Sequence, residues 1–447
     1  MSTDTKANAG PTLKRTIGLW GLVLYGAGDM LGSGIYALIG KAAGAMGNAI
    51  WLAFLASMTA ALLTGLSYAS LGSRYPRAAG AAYVTHRAFG RPFFSYLIGL
   101  AVLASGLTSF AAQSRAFAGY LSARLAGVPM EVIVLGFIAC LGLVNFWGMR
   151  ESSRLNAVCT AVEVSGLLVI ILAGLRYWGK VDYFEPPAGH AALTLPLVLQ
   201  GGVLTFYSFI GFEDMINVVE EVKEPRRVFP RAVLLALGAV TLIYAAVSIS
   251  AVSVVPHARL AASKEPLVEV VRVALPAFPV ALFTAISLFA ITNTALLNFI
   301  MGSRLAYGMA RVGLVPKRLG AVHPVRRTPH VAIAALAAIV LLLAFSGDLS
   351  ALASATSALL LGVFIVINTA LVVLKRRAGE PRGRFEIPLA VPVGGIVVCA
   401  TLLAHARPRA LLTALGLLAG IIALYFVMRP RGITEEAIIE MERADTE

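Results

Sequence analysis

The sequence predicts an all-α membrane protein of about twelve transmembrane helices, a five-plus-five inverted repeat with discontinuous helices one and six. Three observations predict it. Of 447 residues, 58% are hydrophobic and only 13% charged, where a soluble chain carries roughly 25% charged residues. Apolar runs near the roughly 20 residues that cross a bilayer recur along the whole chain. Two of those runs are interrupted by glycines and carboxylates at corresponding places in the two halves.

In order, the runs place spans at Thr16–Ala43, Asn48–Gly72, Phe93–Leu121, Met130–Trp147, Asn156–Leu175 and Leu195–Val219. The second half gives Ala232–Val255, Phe278–Met309, Val331–Phe345, Leu349–Leu374, Ile387–Ala404 and Ala410–Met428. The expected organisation is a cytoplasmic tail over 1–15, then a ten-helix transport core over 16–376. Its first repeat covers 16–178 and its second 195–376. Peripheral helices eleven and twelve (387–428) and a cytoplasmic tail (429–447) follow. Met1 to Lys14 lacks the apolar segment of a signal peptide, and the run that begins near Thr16 is too long for a cleaved leader.

The net charge is +14. Nucleic-acid binding is one reading of a basic chain, but these basic residues sit in loops between apolar runs. With the N-terminus inside, Lys and Arg favour the inner loops roughly threefold, which sets both termini in the cytoplasm. The expected location is a bacterial inner membrane, crossed many times. Cys140, Cys159 and Cys399 lie within apolar runs and offer neither a disulfide framework nor metal-ligand spacing. Neither a cofactor nor a metal is expected. Tyr75 to Tyr83 leads into Val84–Phe89, which reads as a short helix on the membrane surface. The acidic stretch from Thr434 to Glu447 reads as a brief amphipathic helix.

The first span contains Gly26, Gly28, Asp29, Gly32, Ser33, Gly34 and Ile35 within ten residues. Glycines weaken a helix interior by roughly 1 kcal/mol each, and a carboxylate inside the bilayer costs more. Close packing through Gly28 and Gly32 is one explanation, but it leaves Asp29 without a reason. A discontinuous helix explains both. Unwinding at Gly32, Ser33 and Gly34 frees N–H groups that bind an anion at the start of the second half-helix. Carbonyls freed at the end of the first half suit an ammonium group or a cation. One break can thus hold both ends of an amino acid. A second break is expected from Phe206 to Asp214, where Gly211 precedes Glu213 and Asp214. Gly26, Gly28 and Gly32 do not form a dinucleotide fingerprint, and Gly40-Lys41 does not complete a phosphate-binding loop. Transport driven by a gradient or by exchange is therefore expected, not nucleotide hydrolysis.

At these two motifs the sequence resembles the amino acid–polyamine–organocation transporter superfamily. Gly32-Ser33-Gly34-Ile35 is similar to that family's G-[ST/A]-G-I break. Tyr207 to Glu213 is similar to the W-S-F-I-G-x-E segment of its bacterial arginine–agmatine exchanger. Arg74–Tyr83, Glu220–Arg227 and Arg304–Pro316 resemble the first inner loop, the stretch after span six and the end of span eight. Arg150 to Asn156 resembles the cationic amino acid transporter branch. The resemblance implies a site between spans one, three, six and eight. It implies that N–H groups at Ser33 and Gly34, beside Ile35, hold the substrate carboxylate. Carbonyls near Ala27, Met30, Phe206, Tyr207 and Phe209 would hold the amine, and Tyr207 falls where the exchanger has a gating Trp. Some proton-coupled relatives carry a Lys in span five; this chain has Glu163 there. An acid cannot mimic a cation, so that mechanism does not carry over unchanged.

Asp29, Glu163 and Glu213 are the candidates for proton or ion coupling, with Glu213 foremost. On an α-helix Asp214 would point about 100° from Glu213, so the two are not expected to share a cavity. Glu163 could instead complete a sodium site with carbonyls near Gly28 and Leu31, and Asn293, Thr294 and Asn298 could line the cation or substrate path or simply hydrogen-bond between helices. Arg115 is the one comparable base, and its pairing with an acid is a purely structural alternative. The function expected is secondary active amino acid transport by alternating access, proton-coupled or by exchange, with cationic or small neutral amino acids favoured. A polyamine or organocation carrier is the alternative within transport. An intramembrane enzyme is disfavoured, because no nucleophile–base or metal constellation is visible. The expected partners are the amino acid, the lipid bilayer and a proton or sodium ion, and no nucleic acid.

Overall fold

The computed structural model describes residues 15, 17–75, 80–125, 127–147, 153–216, 218–219, 222–311, 314–326 and 328–428. Most of both tails, the helix expected after Thr434 and residues 150–152 of the Arg150–Asn156 segment lie outside them. Among the described residues the structure is helical apart from turns, loops and one isolated parallel bridge, Ile17 with Val222.

The first span is two helices, α1 (Leu19–Leu31) and α2 (Ser33–Met46). The chain turns at Gly47, where φ is +65°, and returns as α3 (Ile50–Arg74). Together Leu19–Arg74 runs 56 residues. At 1.5 Å per residue that is far longer than a roughly 30 Å hydrocarbon core, so it makes two passes. A short helix, α4 (Ala81–Phe89), lies where the surface helix is expected and ends at Gly90, whose N–H donates to the His86 carbonyl at 2.7 Å. Then come α5 (Pro92–Ser122), α6 (Met130–Trp147) and α7 (Ser153–Gly174).

The second half opens with α8 (Leu195–Phe206), capped by Thr194. It continues through α9 (Pro225–Val254), the short outer helices α10 (His257–Ala262) and α11 (Pro266–Ala274), and α12 (Val280–Arg311). It closes with α13 (His330–Ser346) and α14 (Leu349–Arg376), the latter capped by Asp348 accepting from the Ala351 N–H at 2.8 Å. Helices α15 (Ala390–Ala404) and α16 (Pro408–Met428) follow. Among the described residues nine stretches are long and apolar enough to cross a membrane, and α13 and α15 are shorter apolar helices. With Leu19–Arg74 making two passes, the twelve expected spans are all present as helices.

Helix α3 packs most extensively on α9 and α8, and α1 on α9 and α7. Helix α5 packs on α14, α12, α13 and α6. Small residues bring these helices together: Gly72 faces the Phe229 ring and Gly65 faces Leu237. Of the interrupted helices, α1 and α8 belong to the first group, and α2 packs on α10, α12 and α8.

Candidate functional site: two helix breaks meeting at the centre

The first break is a single residue. Helix α1 ends at Leu31, Gly32 takes φ −67° and ψ −123°, and α2 starts at Ser33. Leaving helical geometry at one residue exposes the N–H groups of a new helix N-terminus. The Ser33 N–H donates to Thr294 Oγ1 on α12 at 3.1 Å. One of the two amides expected to face a carboxylate is therefore held by a side chain that the sequence reading put on a cation path. A hydroxyl is a weaker acceptor than a carboxylate, so it can yield to one.

The second break is longer. Helix α8 stops at Phe206, a 3-10 turn spans Tyr207–Phe209, and Ile210 is extended. Gly211 takes φ +124°, a conformation that a side chain would strain. A 3-10 segment, Phe212–Ile216, completes it. The Gly211 N–H donates to Glu213 Oε2 at 2.9 Å, so the carboxylate folds back over the break.

The breaks are pressed together. A Cβ on Gly34 would sit 2.6 Å from Ser208 Cα, and one on Gly211 would sit 2.9 Å from Asp29 Cγ. The Tyr244 hydroxyl, from α9, reaches the carbonyls of Met30 at 2.5 Å and Ser208 at 2.6 Å. One proton is shared between an acceptor from each break. Met30, expected to offer its carbonyl to the substrate amine, offers it here to Tyr244. The side chains of Phe206 and Phe209 face aromatic neighbours, Phe364 and Tyr244. Ala27, Ser33, Ile35 and Tyr207 are buried beside them.

Helix α5 closes a third side. Ser109 Oγ lies 3.0 Å from the Tyr207 hydroxyl. Gln113 Nε2 donates to Ser33 Oγ at 3.0 Å and to Ser109 Oγ at 3.1 Å. A chain of polar groups thus runs from the first break to the second through α5.

The intramembrane acids form two groups. Glu163 on α7 is wholly buried. Its Oε1 accepts from Asn293 Nδ2 at 3.1 Å, and its Oε2 has no partner. Its backbone carbonyl accepts from the Tyr36 hydroxyl at 2.6 Å. Gly28 packs on Thr160 of the same helix, whose hydroxyl donates to the Leu24 carbonyl at 3.4 Å, with Leu31 one turn on in α1. In the other group, Glu213 and Asp214 both line a cavity of about 70 Å³, with Ser105, Ser109 and Asn298. The Asp29 side chain lies beside that of Asp214. The expectation that Asp214 would be turned out of this cavity is corrected. The segment is a short 3-10 turn behind an extended residue, not an α-helix, and Glu213 and Asp214 both border the cavity although adjacent residues of such a turn point about 120° apart. The cavity takes its walls from α5 and α12 residues between the breaks and the face that carries Ile17, where the Lys223 N–H donates to the Ile17 carbonyl at 2.8 Å.

Sequence reasoning missed Tyr244, Thr160, Ser109 and Gln113. The last two were detectable: Ser105, Ser109 and Gln113 recur at four-residue spacing in an apolar helix, one polar stripe on one face. Tyr244 is a lone aromatic in an apolar run and carries no such signal.

A family model described as amino acid permease matches residues 17–435. An uncharacterized transporter of Mycobacterium tuberculosis is 30% identical over 425 residues, 93% of this chain and 92% of the relative. A branched-chain amino acid permease of Bacillus subtilis is 26% identical, covering 87% of this chain and 86% of its own. Cationic amino acid transporter 4 of Mus musculus is 30% identical, covering 83% of this chain and 61% of its own.

Proposed function

We propose, for a chain that belongs to the amino acid permease family and so is an amino acid transporter, that it moves cationic or small neutral L-amino acids by alternating access, coupled to protons through Glu213. One observation carries the proposal. Two interrupted helices meet at Gly34 and Ser208, and buried polar atoms beside that point, Ser208 Oγ and Gln113 Oε1, lack partners. Buried polar groups are nearly always paired, so this concentration supports a ligand site.

In this reading the substrate carboxylate displaces Thr294 from the N-terminus of α2, at Ser33, Gly34 and Ile35. The substrate ammonium takes carbonyls near Ala27, Met30, Phe206, Tyr207 and Phe209, with Tyr244 yielding its hold on Met30. Tyr207 is the gate between this site and the cavity. Residues 16–178 and 195–376 act as inverted repeats, and 387–428 stay peripheral. Both termini lie in the cytoplasm, as the loop charges imply, so the cavity opens inward.

Glu213 and Asp214 favour a cationic ligand whether or not it has a carboxylate, so a polyamine carrier is the second reading. The test is uptake of L-arginine, L-alanine, L-leucine, L-glutamate and putrescine in proteoliposomes holding the full chain. Uptake of arginine or alanine above the rest supports the proposal. Putrescine alone supports the second reading, and tightest binding of glutamate overturns both.

A further inference from the structure

One residue in the polar chain between the breaks has no part in substrate contact. Gln113 is 1% exposed on α5. Its Nε2 spends both hydrogens on serines, Ser33 of α2 and Ser109 of α5. Ser109 in turn meets the Tyr207 hydroxyl at 3.0 Å, and that hydroxyl also donates to the Ser109 carbonyl at 3.3 Å. The Ser33 and Gln113 side chains lie alongside the same hydroxyl. Gln113 Oε1 has no partner. A buried amide oxygen without a partner is destabilising, and its retention asks for a reason.

An amide between two hydroxyls is reversible. Turned over, Gln113 accepts from both serines through Oε1 instead of donating to both. It can hold Ser33 and Ser109 in either orientation, but only while Ser33 stays within reach. A carboxylate arriving at the N-terminus of α2 offers the Ser33 hydroxyl a charge-assisted bond, stronger than one to a neutral amide. Ser33 then leaves Gln113, and the far end of the chain loosens at Tyr207.

We propose that Gln113 is a positioning residue that ties the Tyr207 gate to the carboxylate end of the substrate. With no carboxylate at α2, the chain Ser33–Gln113–Ser109 holds the Tyr207 ring in place; with one there, it releases the ring. The inference rests on the reading of Tyr207 as gate and of α2 as the carboxylate site.

The test compares two efflux rates from proteoliposomes that hold the full chain and are loaded with radiolabelled L-alanine, L-leucine or L-arginine. One rate is into medium without amino acid, the other into medium with the same amino acid. In the parent the second should exceed the first, because the gate waits for substrate. Gln113→Leu cuts the chain and should speed efflux into empty medium, lowering the ratio by roughly fivefold, the worth of one buried hydrogen bond. Ser109→Ala cuts the chain one step further on and should repeat the fall, which secures the test if Gln113→Leu does not fold. A Gln113 that only packs would lower both rates together. An unchanged ratio in both cut variants overturns the inference alone, as does a parent ratio of unity. A parent that moves none of the three amino acids overturns the transport reading, and the inference with it.

Discussion

At the scale of single residues, the site depends on two approaches that leave no room. Gly34 lies so close to the Ser208 backbone that any side chain must push the breaks apart. Gly34→Val should therefore abolish substrate binding, whereas Ser33→Ala should weaken it mildly, because the Ser33 N–H remains. Binding by thermal shift and uptake checks both, and normal uptake by Gly34→Val would remove the site from this place. Tyr244 is the other contact, since its single hydroxyl serves a carbonyl from each break. Tyr244→Phe leaves both carbonyls without that donor and should cost about 1–3 kcal/mol of stability. Thermal unfolding of the purified variant measures the loss. Substrate should restore part of it, since an ammonium can take the same carbonyls.

At the scale of elements, the ends of the bundle are tied by charged side chains rather than apolar packing. At one end, Glu265 and Glu269 of the α10–α11 segment are almost buried among Arg124, Arg259 and Arg272. Lys41 of α2 donates to the Ala261 carbonyl at 3.2 Å. At the other end, the loop between α14 and α15 folds over α3 and α4. Glu386 meets Arg74 and Lys375, each at 2.6 Å. Glu380 accepts from the Tyr75 hydroxyl at 2.7 Å and pairs with Arg87 and Arg377. Arg377 also donates to the Arg87 and Ala88 carbonyls at the end of α4. Burial raises the Glu380 carboxyl, but the Tyr75 hydroxyl and the two guanidinium groups outweigh it and hold the group below the ordinary carboxylate range. Glu386 is likewise lowered, burial being outweighed by Arg74, Lys375 and the Gly383 N–H. A folded-state value below the unfolded one stabilises above the unfolded value, about pH 4.3, and is lost as pH falls through the folded one. Thermal stability should therefore decline below about pH 4.3. Glu380→Gln should be less stable at neutral pH and decline less steeply in acid. A melting temperature with the same acid dependence in that variant would show that this loop does not hold the end together.

At the scale of the whole molecule, the proposed proton coupling requires that opening and closing change the surroundings of a titratable group. The two acid groups make different predictions. Glu213 lines the cavity and folds back on Gly211 at the break, so movement of the proposed Tyr207 gate would alter its access to water. Glu163 is sealed between α7 and α12 on Asn293. Glu213→Gln should keep substrate binding and flatten the dependence of uptake on external pH, and Glu163→Gln should leave that dependence in place. Uptake across pH, with and without sodium, separates them. A strict sodium requirement in the parent, or an unchanged pH dependence in Glu213→Gln, would move coupling to Glu163.

What the sequence determined by itself is what the bilayer imposes. Twelve apolar runs became twelve helical passes, because backbone groups in hydrocarbon must bond within their own segment. Both interruptions appeared where glycines and acids break those runs, since local weakness at Gly32 and Gly211 needs no distant partner to be read. The short helix that ends at Phe89 was legible too. Tertiary structure alone decided which atoms the breaks face. That Thr294 holds the Ser33 N–H, that Tyr244 bridges Met30 and Ser208, and that Gln113 reaches Ser33 are contacts between residues remote in sequence. Apolar periodicity carries no record of them. The side on which Asp214 emerges was also beyond it, because the pitch of a segment five residues long is set by what packs against it, not by its own propensity.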